Sequence, residues 1–180
     1  HTASDEISES ISLRMNEEYN TYFGDSPNGI GLSGDGATLF VANGMDNAVA
    51  VIQLGNNASA KGTAEKSYIK GFIPTDAYPS SVVISAKDIL YITNLEASSS
   101  TLPVMIKGRK TPIYNSHVKL ASISVVKMPS EKKLMSYTKT VYAVNQLSRL
   151  KTAELPPREN VKAKPVPDRI GEPSVFKHVL

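Results

Sequence analysis

The feature that most constrains the fold is a segment that occurs twice, with its two copies 52 residues apart. Residues 27–43 read PNGIGLSGDGATLFVAN, and residues 79–94 read PSSVVISAKDILYITN. Each copy starts at a proline, continues through two apolar runs separated by a short polar turn, and ends at an asparagine. A period of about 40–50 residues with four short strands per unit is typical of β-propeller blades. The repeat therefore predicts an all-β fold made of successive antiparallel sheets.

The first copy predicts a blade over residues 26–73. Gly34-Asp35-Gly36 and Gly44-Met45-Asp46-Asn47 are tight-turn sequences, and they separate three apolar runs. Connections this short hold no helix, so the three strands are expected to form an antiparallel meander. Residues 67–73 supply a fourth, outer strand. Residues 11–15 alternate apolar and polar, which predicts an orphan strand from a preceding blade.

The second copy predicts a blade over residues 79–128, with strands inside 81–85, 89–93 and 120–126. An insertion at 95–119 separates the last two strands, and loops longer than about 12–15 residues inside a repeat are usually functional or mobile. The apolar strand residues of both blades are expected to be buried between sheet faces. They are Ile30, Leu32, Leu39, Val41, Val49, Val51, Val83, Leu90, Ile92, Ile123 and Val125.

The apolar spacing then changes to three and four residues, which predicts an amphipathic helix over about residues 130–150. Ser130 is a good N-cap for it. The helix is expected to pack on the sheets, because an isolated helix of this length is marginal in water. Its repeating apolar residues are Leu134, Tyr137, Val141 and Val144. Residues 151–180 are predicted to be a stiff linker, since five of the eleven prolines lie between 156 and 173.

Composition excludes several classes of protein. With 41% apolar and 21% charged residues the chain is an ordinary globular sequence, and no apolar run approaches the ~18 residues of a membrane-spanning helix. The absence of cysteine excludes disulfides and thiolate metal sites. The net charge of +3 lies entirely in residues 148–180, where a single aromatic residue and mixed charges indicate a solvated linker rather than a nucleic-acid surface. The chain starts without Met, so we expect either a removed leader or a longer parent protein.

No residue carries a strong sign of catalysis. The three histidines are too far apart for a zinc motif, and His117 is interpreted as a solvated residue of the insertion. Asn57-Ala58-Ser59 matches a glycosylation sequon, and we interpret it as a polar loop. Four turn aspartates could recur at one end of the blades as a metal or sugar site, although their own backbone hydrogen bonding explains them and is the preferred interpretation. These are Asp35, Asp46, Asp76 and Asp88.

The repeat resembles a known family. Leu90-Tyr91-Ile92-Thr93-Asn94 is close to the YVTN repeat, and Leu39-Phe40-Val41-Ala42-Asn43 is its common variant. Gly71-Phe72-Ile73-Pro74-Thr75 fits the Gly-x-x-Pro-Thr segment that often joins blades in that family. Residues 7–128 therefore resemble a YncE-like β-propeller, and the resemblance implies a partial propeller of about two four-stranded blades. Such propellers include binding modules, surface proteins and lactonase-like enzymes, and the clustered His, Glu or Arg of a lactonase is not seen in these blades.

A second resemblance concerns the end of the chain. Residues 166–179, VPDRIGEPSVFKHV, look like the junction in large secreted bacterial proteins in which a propeller precedes a phosphoesterase of the alkaline-phosphatase superfamily. In that family the catalytic residues and the metal ligands come after this segment. The resemblance therefore assigns no catalytic, cofactor-binding or metal-binding residue to this chain. It implies a divalent metal, zinc, in the absent phosphoesterase domain.

Together these inferences predict a partial propeller over 1–128, a packed helix over 129–150 and a linker over 151–180. The expected function is to scaffold, or to support ligand and partner binding for, a phosphoesterase domain missing from this chain, in a secreted, periplasmic or cell-surface protein. Expected partners are the remaining blades, that domain and a small-molecule or polysaccharide ligand, with no nucleic acid and no membrane span. The alternative is a stand-alone binding propeller that has no catalytic role.

Overall fold

In the residues that the structure describes, the protein is mostly β-structure, with two antiparallel sheets and two short helices. A computed structural model describes residues 5–15, 25–55, 65–97, 105, 107–110 and 120–177. Sheet A has the strand order β1-β2-β3-β4, and sheet B has the order β5-β6-β7. The strands are β1 Pro27–Leu32, β2 Thr38–Asn43, β3 Ala48–Gln53, β4 Tyr68–Pro74, β5 Ala77–Ile84, β6 Ile89–Glu96 and β7 Ser122–Lys127. The helices are α1 Glu131–Val144 and α2 Leu147–Ala153.

The two sheets repeat each other in register as well as in sequence. In sheet A, Pro27 lies opposite Asn43, and the pairing shifts before Gly29. In sheet B, Pro79 lies opposite Asn94, and the pairing shifts before Ser81. The turns also match, because the hydroxyls of Ser33 and Ser85 each accept a backbone N–H where the second strand begins. The meander of four strands over 26–73 is confirmed, whereas sheet B contains three strands among the described residues instead of the predicted four.

The main core lies between the sheets. Strand β5 packs over β1 and β2, which places Val82 against the face of sheet A that carries Phe40 and Val51. Strands β1 and β5 approach each other closely at Gly29 and Gly31. A Cβ added at Gly29 would lie 2.7 Å from the Ser80 carbonyl oxygen, and one added at Gly31 would lie 2.9 Å from the Val82 carbonyl oxygen. Glycine is therefore required on this side of β1, because any side chain there would push the sheets apart.

The burial predicted for the strands is only partly right. Val41, Val49, Val51, Leu90 and Ile92 are buried, and Leu39 is half-buried. The prediction is wrong for five exposed residues, which are Ile30, Leu32, Val83, Ile123 and Val125. All five lie on sheet surfaces that face away from the interface between sheets A and B. The alternation of the strands is correct, but these five positions are not covered. On the same side of sheet A as Ile30 and Leu32, the neighbouring strands do carry buried residues, which are Val41, Ala50, Ile52 and Phe72.

The predicted orphan strand over 11–15 is wrong, because residues 6–14 have no regular secondary structure. Their hydrogen bonds to sheet A are made by individual groups rather than by a strand ladder. The Glu9 carboxylate accepts from the Ser67 N–H at 2.9 Å and from the Ser67 hydroxyl at 2.6 Å. The Leu13 carbonyl accepts from Asn43 Nδ2 at 3.4 Å. This segment is therefore held at two points beside sheet A.

Helix α1 begins where the sequence predicts. Ser130 caps it through its hydroxyl, which accepts the Lys133 N–H at 3.4 Å. Leu134 and Val141 are buried and Tyr137 packs at the edge of the core, as predicted. Val144 is 64% exposed, so the prediction for that residue is wrong. The single helix over 130–150 is also wrong, because Gln146 adopts a left-handed conformation (φ 53°) and divides it into α1 and α2.

The chain forms two compact units, residues 1–141 and residues 142–180. The second contains α2 and an irregular segment that folds back on itself. In that segment Lys164 and Ser174 form an isolated parallel bridge, and the Ile170 N–H donates to the Ala153 carbonyl at 2.8 Å. The prolines prevent regular structure as predicted, yet the segment has a definite fold. The strand start predicted at 176–180 is irregular at 176–177 and otherwise lies outside the described residues.

Candidate functional site

The polar residues of the first unit concentrate at one end of the two sheets, where β1, β3 and β5 begin. The Tyr78 N–H donates to Asn47 Oδ1 at 2.8 Å, and Asn28 Nδ2 donates to the Pro79 carbonyl at 3.1 Å. The hydroxyls of Ser26 and Tyr78 lie 3.2 Å apart. These contacts join the turns of one sheet to the first strand of the other. We call this region the polar end.

The four turn aspartates do not form one site. Asp46 and Asp76 lie at the polar end, whereas Asp35 and Asp88 lie in the β1–β2 and β5–β6 turns at the opposite end. Asp35 acts inside its own turn, where it accepts from the Ser33 hydroxyl at 2.5 Å and from the Ala37 N–H at 3.0 Å. Asp35 is thus explained by turn geometry, as one of the two interpretations from sequence proposed.

Asp46 forms a carboxyl pair with Asp25. Asp46 is 6% exposed and accepts a hydrogen bond from Asn43 Nδ2 at 3.0 Å. Its side chain is also hydrogen-bonded to that of Asp25, which is half-buried and receives the favourable charge of Arg14. The pair forms because antiparallel pairing of β1 with β2 brings the residues before Pro27 beside the turn after Asn43. The Met45 N–H donates to the Asp25 carbonyl at 3.1 Å and holds this arrangement.

The pair is built to share a proton. Burial raises the pKa of Asp46 to about 7, the hydrogen bond from Asn43 opposes the rise, and the neighbouring charge of Asp25 adds to it. Burial also raises the pKa of Asp25, although its backbone N–H, Arg14 and the hydrogen bond from Asp46 all lower it. Asp46 is therefore the proton donor and Asp25 the acceptor. Two close carboxyls that cannot both ionise are a common source of acid–base chemistry near neutral pH.

Sheet B carries a related network with a single acid. Asp76 Oδ2 accepts from the Ser122 hydroxyl at 2.8 Å, and Asn94 Nδ2 donates to the hydroxyls of Ser122 and Ser124 at 3.1 and 2.9 Å. Asn94 occupies the position of Asn43 in the repeat. In both asparagines Oδ1 is buried and has no hydrogen-bond partner in the described part of the chain. The orphan oxygen is therefore a property of the repeat and not a mark of one ligand site.

The second unit has its own charged cluster, centred on Arg158. Its guanidinium contacts Glu172 Oε1 at 2.6 Å and Asp168 Oδ2 at 2.9 Å, and Lys164 Nζ contacts the same Asp168 oxygen at 2.7 Å. The Glu172 side chain is 3% exposed. The hydrogen bond from Arg158 lowers the pKa of Glu172 to about 2, and that from Lys164 lowers the pKa of Asp168. The contacts close a loop over 158–172, so the cluster is structural in character.

The sequence pattern pointed to Asp46 and Asp76 but not to Asp25, Asn43 or the Arg158 cluster. The pairing of Pro27 with Asn43 is the signal that could have revealed Asp25. The three histidines, at 1, 117 and 178, and the sequon at Asn57 lie outside the described residues. Among the residues that are described, no group of three or more His, Cys, Asp or Glu side chains is placed to bind a metal ion. The helices in this part of the chain are too short and too polar to span a membrane.

No family model matches the chain, and no curated protein is significantly similar to it.

Proposed function

We propose that the chain is part of a YVTN-type β-propeller in a secreted or periplasmic protein. In this proposal it scaffolds a metal-dependent phosphoesterase domain that follows it, or supports ligand and partner binding for that domain. The single observation that carries the propeller part is the repeated register of the two sheets, including the same shift after the first proline. Repeated sheets that stack face to face are the building principle of propellers and other repeat folds.

The phosphoesterase part is supported by the resemblance of residues 166–179. Two features of the chain agree with a supporting role for the described residues themselves. The Asp25–Asp46 pair is not part of a group of three or more metal-binding side chains among them, and the contacts of the Arg158 cluster close its own loop. The chemistry of the parent protein is therefore assigned to the following domain, where zinc would activate the attacking group and stabilise charge on the phosphoryl oxygens.

A stand-alone binding propeller is the second candidate, and the polar end favours it. Asp25, Asp46 and Asp76 lie there together with amide and hydroxyl groups, and polar groups of this kind bind hydroxylated ligands such as polysaccharides. In this candidate the chain binds a partner or a saccharide directly and needs no catalytic domain.

The decisive experiment compares this chain with the protein encoded by its complete gene. Both are assayed with a generic aryl phosphodiester and phosphomonoester, with and without Zn²⁺. The proposal expects zinc-dependent turnover by the complete protein and none by residues 1–180. A stop codon directly after Leu180, or a complete protein without turnover, would contradict the phosphoesterase part and favour the binding candidate. Turnover by residues 1–180 alone would show that the chain contains a catalytic site.

A further inference from the structure

The outer surface of sheet B is apolar and uncovered. It consists of Val83 on β5, Tyr91 on β6 and Ile123 and Val125 on β7, and we call it the open face. Tyr91 lies between Val83 and Val125 in the strand register. Their exposed fractions are 57% for Val83, 40% for Tyr91, 65% for Ile123 and 61% for Val125. Four neighbouring apolar side chains so exposed on one sheet mark an interaction surface.

The repeat shows what an equivalent surface does when it is covered. Gly31, Phe40, Val49 and Val51 of sheet A occupy the positions of Val83, Tyr91, Ile123 and Val125. Phe40 and Val49 are 0% exposed and Val51 is 3% exposed, because they form one buried cluster with Val82, Leu90 and Ile92 of sheet B and with Leu134 of α1. The residue of sheet B that enters this interface is Val82, which is 1% exposed. The occupant of such a face is thus another sheet of the same repeat, entering with its first strand.

The complementary surface is also present on this chain. Ile30 and Leu32 of β1 occupy the repeat positions of Val82 and Ile84. Val82 is buried and Ile84 packs against the core, whereas Ile30 is 72% exposed and Leu32 is 51% exposed. One chain therefore exposes both the open face and the Ile30–Leu32 side of β1, whereas Val41 on the neighbouring strand is already buried.

We propose that the open face binds the Ile30–Leu32 side of β1 in a second copy of this chain, so that copies associate head to tail. The proposal rests on the propeller repeat described above. In this arrangement sheet A of the second copy packs on sheet B of the first copy, as sheet B packs on sheet A within each chain. Such an interface is heterologous, because two different surfaces meet, and it propagates until a ring closes. In the proposed interface Val83 stands where Gly31 stands between sheets A and B, and its side chain needs space that Gly31 does not. Strand β1 of the second copy therefore lies further from β5 than β5 lies from β1 of its own chain.

Sedimentation velocity over a wide range of concentrations, with light scattering on a sizing column, tests the proposal. The wild-type chain is expected to form species larger than a monomer as its concentration rises. Val125→Glu in the open face and Ile30→Glu in β1 are each expected to weaken association at least tenfold, because a carboxylate would be buried in an apolar contact. Ile123→Glu and Leu32→Glu repeat the two tests at neighbouring positions, so that one misfolded variant does not decide the outcome.

Mixing the two variants distinguishes head-to-tail binding from other association. The Val125→Glu chain keeps its β1 surface and the Ile30→Glu chain keeps its open face, so an equimolar mixture is expected to form a 1:1 dimer that grows no further. Met135→Glu, at a residue 60% exposed on α1, is the matched control and is expected to associate like the wild type.

A wild-type chain that stays monomeric, a mixture that forms no dimer, or an Ile30→Glu chain that still self-associates would each overturn the proposal. None of these outcomes bears on phosphoesterase activity of the complete protein, so the two proposals fail separately.

Discussion

At the scale of single residues, the ionisation of Asp46 is expected to affect the stability of the fold. Its folded-state pKa of about 7 lies above the usual 3.8, so the folded protein holds this proton more tightly than the unfolded chain does. The free energy of unfolding is therefore expected to fall as the pH rises from about 4 to about 7. Asp46→Asn keeps the shape, still accepts from Asn43, and removes the cost of ionisation. By the conversion of pKa shift to free energy, it should raise stability at pH 8 by on the order of a few kcal/mol.

Urea unfolding at several pH values, followed by circular dichroism, checks this expectation. Asp88→Asn is the matched control, because Asp88 is exposed in the turn at the opposite end of the sheets. The decrease in the free energy of unfolding between pH 4 and pH 7 should be smaller in the Asp46 variant and unchanged in the Asp88 variant. An Asp46→Asn protein whose pH dependence equals that of the wild type would show that Asp46 is not the titrating group.

The ionisation of Glu172 affects stability in the opposite direction to that of Asp46. The hydrogen bond from Arg158 lowers its pKa from 4.5 to about 2, so the folded state releases this proton more readily than the unfolded state. The cluster therefore contributes its full stabilisation above about pH 4.5 and loses it as the pH falls toward 2. The Arg158 Nε–H resonance in NMR spectra should stay protected down to about pH 3 in the wild type. In Glu172→Gln it should exchange faster than in the wild type at the same pH near neutrality, and equal protection in both proteins would contradict a role for this ion pair.

At the scale of elements, the contact between β4 and α1 depends on Gly71. The Thr138 hydroxyl accepts the Phe72 N–H at 2.9 Å and donates to the Leu134 carbonyl at 2.9 Å, so the helix caps the edge of the strand. A Cβ at Gly71 would collide with Thr138 Oγ1 and lie 3.0 Å from Leu134 Cγ. Gly71→Ala is therefore expected to destabilise the first unit by about 1–3 kcal/mol through overpacking.

Thermal and urea unfolding measure that change, and Gly34→Ala is the matched control. Gly34 has no atom within 4 Å of the added Cβ, so this substitution should leave stability within about 0.5 kcal/mol of the wild type. Equal effects of the two substitutions would mean that α1 does not pack on β4 as described.

The strands of sheet A and the start of α1 could be predicted from sequence because they depend on local signals. The Gly/Asp turns and the period of two fix β1 to β3, and Ser130 fixes the first turn of the helix. The exposed residues could not be predicted, because alternation in Ile123 and Val125 reports which side of a strand is apolar but not whether another layer covers it. The break at Gln146 has no proline or glycine to announce it. The Asp25–Asp46 pair depends on the register between strands and therefore required the structure.

At the scale of the whole molecule, the division into two compact units separates two kinds of stability. The first unit, residues 1–141, is held by sheet packing and by two buried residues of α1. The second, residues 142–180, is held by the contacts of Arg158 and by a few backbone hydrogen bonds. A unit with so few buried apolar side chains is expected to open at much lower denaturant concentration than the first.

Two truncated chains test this division. A chain ending at Asn145 keeps all of α1, so its sheets are expected to unfold at the same urea concentration as those of the full chain. A chain ending at Met128 loses Leu134 and Val141, which are 5% and 0% exposed, and uncovers the apolar surface beneath them. By the cost of removing large buried side chains, this second chain should be less stable by at least about 2–5 kcal/mol. The measurement is the β-sheet signal in circular dichroism during urea unfolding. Equal loss of stability in both chains would mean that residues 146–180 support the sheets, which contradicts the division at Val141.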